Sequence, residues 1–128
     1  MREPAFLTID EVLALHADLV RRYGGSPRVR DLRLLESALA TPRATFDGAF
    51  LHGSLAEMAA AYLFHLVRNH PFVDGNKRTG LMAAIAFLGL NDLELDAAAA
   101  ELYELVLGVA AGSVDKAEVA VFIKKNSR

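Results

Sequence analysis

Apolar positions recur at helical spacing along most of this chain, and short polar signals punctuate them. Thr8-Ile9-Asp10-Glu11 has the form of a capping box, in which hydroxyl and carboxylate satisfy each other's backbone N–H groups. Val12, Leu15, Leu19 and Val20 then mark one face of a helix that Tyr23-Gly24-Gly25 ends. A second helix is predicted from about Leu32 to Ala40, with Pro42 as its limit. Residues 42–53 read as irregular, with Gly48 and Gly53 near the two ends. Ser54-Leu55-Ala56-Glu57 is a second capping box and opens a helix to about Asn69. Leu55, Met58, Ala59, Tyr62, Leu63 and Leu66 make one face of it, and Ala60, Ala61, Phe64 and Val67 another. A helix apolar on nearly all sides belongs at the centre of a fold. Another buried helix is predicted over residues 76–90, and Asn91-Asp92 turns the chain. Leu93-Glu94-Leu95-Asp96 alternates briefly as an extended link, and residues 97–111 and 115–125 supply two last helices around Gly112-Ser113. The pattern predicts an all-α bundle of about six helices, one domain over residues 1–128.

Composition narrows the class. A chain of 128 residues with 53% hydrophobic content can bury a real core and is not disordered. The longest apolar run, residues 81–90, is half the ~20 residues of a spanning helix. Met1-Arg2-Glu3-Pro4 opens no signal-peptide pattern, because Asp10 and Glu11 interrupt any apolar region, so a cytoplasmic location is expected. The absence of cysteine excludes disulfides, thiolate zinc sites and cysteine nucleophiles. A net charge of −2 argues against a general polyanion binder. Arg21, Arg22, Arg28, Arg30, Arg33 and Arg43 nevertheless crowd one region, either as a solvated face or as a docking patch for an acidic partner.

The chemistry concentrates in His70-Pro71-Phe72-Val73-Asp74-Gly75-Asn76-Lys77-Arg78, a polar knot between two apolar segments. Such a knot is costly unless its groups are satisfied or used. His70, turned out of its helix by Pro71, can take a proton from a hydroxyl near neutral pH. Phe72 should plug the core and pin the loop. Asp74 offers a hard oxygen for Mg²⁺, which such sites hold through one or two carboxylates plus substrate phosphates. Gly75 permits a backbone conformation that side chains resist. Asn76, Lys77 and Arg78 start a helix whose free N–H groups make an anion site, with two full charges added. Base, magnesium ligand and anion cradle are the parts of a phosphoryl or nucleotidyl transfer. Each residue also has an ordinary reading: a loop histidine, an Asp-Gly turn, a solvated helix start. His65 reads as a core histidine, and nothing in the sequence couples His16 or His52 to the loop. No HExxH pair supports a dedicated metal centre.

At these residues the chain resembles the Fic/Doc superfamily, whose signature is His-x-Phe-x-Asp/Glu-Gly-Asn-Gly/Lys-Arg. Tyr23-Gly24-Gly25, the run through Thr79 and the overall length resemble its short Doc branch, the death-on-curing toxins of toxin–antitoxin modules. The likeness covers nearly the whole chain, most weakly the last third. It implies a compact helical bundle with the active loop between two central buried helices. Where the adenylylating Fic form has Gly and a second Arg, this chain has Lys77 and Leu81. By resemblance to Doc, the nucleotide binds reversed and the γ-phosphoryl group of ATP moves to a threonine of elongation factor Tu, blocking translation. His70 would be the base, Asp74 the Mg²⁺ ligand, and Gly75, Asn76, Lys77 and Arg78 the nucleotide-binding clamp. Gly75, which is alanine in some Doc members, keeps adenylyl transfer as an alternative, and a non-catalytic antitoxin-binding subunit is a third. No Ser/Thr-x-x-x-Glu-Gly/Asn string supplies a built-in brake. The resemblance therefore implies a Phd-like antitoxin whose disordered tail folds as a helix in a surface groove. Residues 42–53 hold the place of the family's substrate-positioning flap. No direct sequence-specific nucleic-acid binding and no membrane association are expected.

Overall fold

Helix α3 (Leu55–Asn69) takes the central place that its all-round apolar sequence predicts. In the computed structural model, which describes residues 3–128, nine of its side chains are buried. Around it pack α1 (Ile9–Tyr23), α2 (Leu32–Ala40), α4 (Asn76–Leu90), α5 (Ala99–Ala111) and α6 (Lys116–Asn126). The expected count of six helices and the all-α class hold, with boundaries shifted by one or two residues. The reading of Met1 and Arg2 falls outside the described residues. No helix among the described residues is long and apolar enough to cross a membrane.

Local chemistry explains the helix starts. Thr8 and Glu11 form the expected capping box, and Asp115 and Glu118 form one that the sequence reading did not name. At α3 only half of the box forms. The Glu57 N–H donates to Ser54 Oγ at 3.1 Å, while the Glu57 carboxylate accepts from the Gly53 N–H rather than that of Ser54. Two buried helices meet most closely where α4 presents Gly80 to α3; a Cβ there would lie 2.8 Å from Val67 Cγ2 and 3.1 Å from the Leu63 carbonyl. Residues 93–96 do form an extended link. Leu95 bridges Ser127, and Glu94 and Arg128 exchange backbone hydrogen bonds at 2.7 and 2.9 Å.

Residues 42–53 are more regular than their sequence suggests. After a 3₁₀ turn (Thr41–Arg43), β1 (Thr45–Phe46) and β2 (Ala49–Phe50) pair antiparallel. Asp47 and Gly48 both take positive φ (53° and 81°), the geometry of a two-residue hairpin loop. Phe50 packs on Phe6, which stacks on Phe87 near the far end of α4.

Candidate functional site

The loop between α3 and α4 is tied down residue by residue. α3 ends at His70, which adopts a left-handed conformation (φ 52°, ψ 53°) common at helix C-termini, and Pro71 bars the right-handed helix from continuing through it. Arg30 caps that end: its Nε donates to the His70 carbonyl at 2.7 Å and its Nη2 to that of Asn69 at 3.0 Å, placing a cation at the negative pole of the helix. The chain at 28–31 then runs alongside the loop. The N–H groups of Arg30 and Asp31 donate to the Pro71 carbonyl, Val73 N–H donates to the Arg28 carbonyl, and Val29 bridges Phe72. Phe72 is fully buried, as expected of a plug.

Three sequence readings change here. The side chain of Asn76, assigned to a phosphate clamp, turns inward and is 5% exposed. Its Oδ1 accepts from the Phe72 N–H and its Nδ2 donates to the Phe72 carbonyl, both at 2.9 Å. The carboxamide thus holds the loop shut, and only the backbone of Asn76 is placed to meet an anion. His16 is coupled to the loop after all: its ring, 1% exposed, stacks on Phe72 at 3.7 Å, and its Nε2 lies 2.8 Å from the Asp74 carbonyl. The hairpin at 45–50 does not occupy a flap position. It joins the N-terminus of α3, and the loop joins its C-terminus, 15 residues or about 20 Å away. The segment flanking the loop is 24–31.

Asp74, Gly75, Asn76, Lys77 and Arg78 line one cleft of about 720 Å³ together with His70, a volume suited to a nucleotide-sized ligand. The opposite wall is apolar: Leu81 of α4, and Tyr103, Val106, Leu107 and Ala110 of α5. Arg68 holds that wall in place through hydrogen bonds to the carbonyls of Val109 and Ala110, each 3.3 Å. Asp74 Oδ2 accepts from the Ser26 N–H at 2.8 Å, which leaves Oδ1 for a ligand. Gly25 makes this approach possible, because a Cβ there would come within 3.0 Å of the Asp74 side chain. Gly75 (φ 83°) begins α4 with no side-chain cap, so the first-turn N–H groups remain open to an anion. The guanidinium of Arg78 rests over the Tyr23 ring at 4.3 Å, a partner the sequence reading missed. Lys77 is exposed. Among the described residues no group of three or more His, Asp or Glu can hold a metal ion by itself. A lone carboxylate with a free oxygen fits Mg²⁺ brought in with phosphates.

The remaining histidines lie elsewhere. His52, just ahead of the α3 N-terminus, and His65, in the C-terminal third of that helix, both face Lys116, with His65 Nε2 3.2 Å from Lys116 Nζ. Burial, with Lys116 and His52 adding their charge, pushes His65 down to about 4; burial first, then Lys116, lowers His52 as well.

The chain matches the Fic/DOC family over residues 6–88, from the segment before α1 almost to the end of α4. Over 75 residues it is 48% identical to a protein named Toxin Doc from Mycolicibacterium smegmatis, a match that covers 59% of this chain and 58% of that relative's length. Over 116 residues it is 33% identical to Protein kinase doc of Escherichia phage P1, covering 91% of this chain and 90% of the phage protein.

Proposed function

Because this chain belongs to the Fic/Doc family, on its Doc branch, we propose that the cleft transfers the γ-phosphoryl group of ATP to a hydroxyl of a protein target, a threonine of elongation factor Tu. The observation that carries this reading is the convergence of His70, Asp74 and the open start of α4 on one cleft, with Leu81 rather than a second arginine in its wall. The His70 imidazole takes the proton of the attacking hydroxyl as its oxygen bonds to the γ-phosphorus. The bond from that phosphorus to the β,γ-bridging oxygen breaks, and ADP leaves. Lys77, Arg78 and the first-turn N–H groups face the charge that spreads over the phosphoryl oxygens. Asp74 is the residue that would hold Mg²⁺, which would supply positive charge to offset that of the phosphates.

A toxin lacking its own inhibitory helix needs a brake in trans. A Phd-like antitoxin tail, folding as a helix, would lie against the apolar wall formed by Leu81, Tyr103 and Leu107. The name Protein kinase doc of the phage relative supports γ- over α-phosphoryl transfer. Intact-mass spectrometry of elongation factor Tu after incubation with the protein, ATP and Mg²⁺ tests the reading. A gain of one phosphoryl group is expected, lost in His70→Ala and Asp74→Ala with unchanged thermal unfolding. A gain of one adenylyl group would instead select the nucleotidyl-transfer alternative that Gly75 leaves open. Tight antitoxin binding with no label of either kind would select a non-catalytic subunit.

A further inference from the structure

We propose that His16 is a positioning residue for this site: it fixes the Asp74–Gly75 peptide so that the Gly75 N–H faces the phosphate-binding side. Its activity readout rests on the reading above; its structural readout does not. Among the described residues the buried polar side chains, apart from the Tyr62 hydroxyl, are His16, Asn76 and Thr79, and the first two bond the backbone of the catalytic loop. A buried imidazole is costly unless hydrogen-bonded. The Asp74 carbonyl can only accept, so the 2.8 Å contact places the ring proton on Nε2. In a trans peptide the C=O and the following N–H point in opposite directions. With the Asp74 carbonyl drawn inward to His16, the N–H of cleft-lining Gly75 points outward.

The ring also forms the floor beneath the turn. It lies nearly parallel to Phe72 (7°), and its Cδ2 and Nε2 are 3.5 Å from where a Gly75 Cβ would be. Gly75 at φ 83° has little steric preference of its own, so a peptide flip at Asp74–Gly75 is easy without an external constraint. Such a flip would turn the Gly75 N–H away from the cleft. A phenyl ring would fill the same space and stack equally well. What histidine adds is the N–H.

Two variants separate packing from hydrogen bonding. His16→Phe keeps the stack and loses the donor; His16→Gln keeps an N–H donor and loses the ring. In the full-length protein, long-range ¹H–¹⁵N spectra of the wild type should show His16 protonated on Nε2, and His16→Phe, which keeps a ring in the same place, should shift the Gly75 amide resonance. His16→Phe should bind MgATP about tenfold more weakly, as expected for one lost hydrogen bond at the site, with kcat lowered as well. His16→Gln should recover most of both. A bare Nε2 in the wild type, an unmoved Gly75 amide in a folded His16→Phe, or full MgATP affinity in that variant would overturn the proposal. Failure of the wild type to bind MgATP would count against the phosphoryl-transfer reading and leave the resonance test of His16 standing.

Discussion

Asn76 commits both ends of its carboxamide to one residue, and the loop depends on it. Replacing it by Ala would leave the N–H and carbonyl of fully buried Phe72 without partners. At about 1–3 kcal/mol per stranded buried group, Asn76→Ala should cost about 2–6 kcal/mol, read from the urea midpoint at unchanged slope. His65 sets a different single-residue test. Its imidazole is neutral in the fold down to about 4 but titrates near the ordinary histidine value of 6.5 when unfolded. Between those values the unfolded chain binds more protons, so this stabilisation is complete above pH 6.5 and is lost as pH falls toward 4. Lys116→Met removes a cation that depresses His65; across pH 7 to 4.5 its urea midpoint should fall less steeply than that of the wild type. The loop residues were legible because their types and spacing are unusual within nine positions. The role of His16 was not. It sits at core spacing on α1, 58 residues from Asp74, and only the folded chain brings the two together. Asn76 misled for a related reason: an amide at a helix start reads as an anion ligand until its direction is known.

Elements were readable where their signals are local. The Thr8 cap, the Gly24 stop and the all-round apolar α3 each carry their own start, stop or burial mark. The hairpin escaped because strands of two residues leave no alternation to count; Asp47-Gly48 was its only sign. Its displacement from the flap position follows from connectivity, since it leads directly into the N-terminus of α3 while the loop hangs from the C-terminus. The α3–α4 contact supports a prediction at this scale. Alanine favours a helix interior over glycine by about 1 kcal/mol. At Gly80 the new methyl would meet Val67 at 2.8 Å and the Leu63 carbonyl at 3.1 Å, and backbone cannot move aside cheaply. Gly80→Ala should therefore destabilise the protein by about 1–2 kcal/mol net, the overpacking strain exceeding the helix gain. A rise in the urea midpoint would show that the two helices can separate at no cost.

Over the whole molecule, net charge and local charge point in opposite directions. The chain carries −2, yet Lys77 and Arg78 stand at the α4 N-terminus in a cleft that Asp74 alone supplies with a carboxylate. A polyphosphate would be drawn to that cleft against a weakly repelling surface, by an attraction open to solvent and screened by salt. Stability has another source. The core is apolar, and the ion pairs seen among the described residues, Arg21 and Arg22 with Asp18 and Arg128 with Asp96, are exposed and contribute little. Ionic strength should therefore separate function from fold. Raising NaCl from about 50 to about 500 mM shortens the screening length from about 14 to about 4 Å, and should weaken MgATP binding roughly tenfold. The urea midpoint should stay nearly constant over the same range. Lys77→Met should remove a large part of the salt dependence without touching stability, because its ammonium meets the ligand rather than the protein. Calorimetric titration at three salt concentrations decides the matter, and a salt-independent affinity would mean that the α5 wall, not the α4 start, holds the nucleotide.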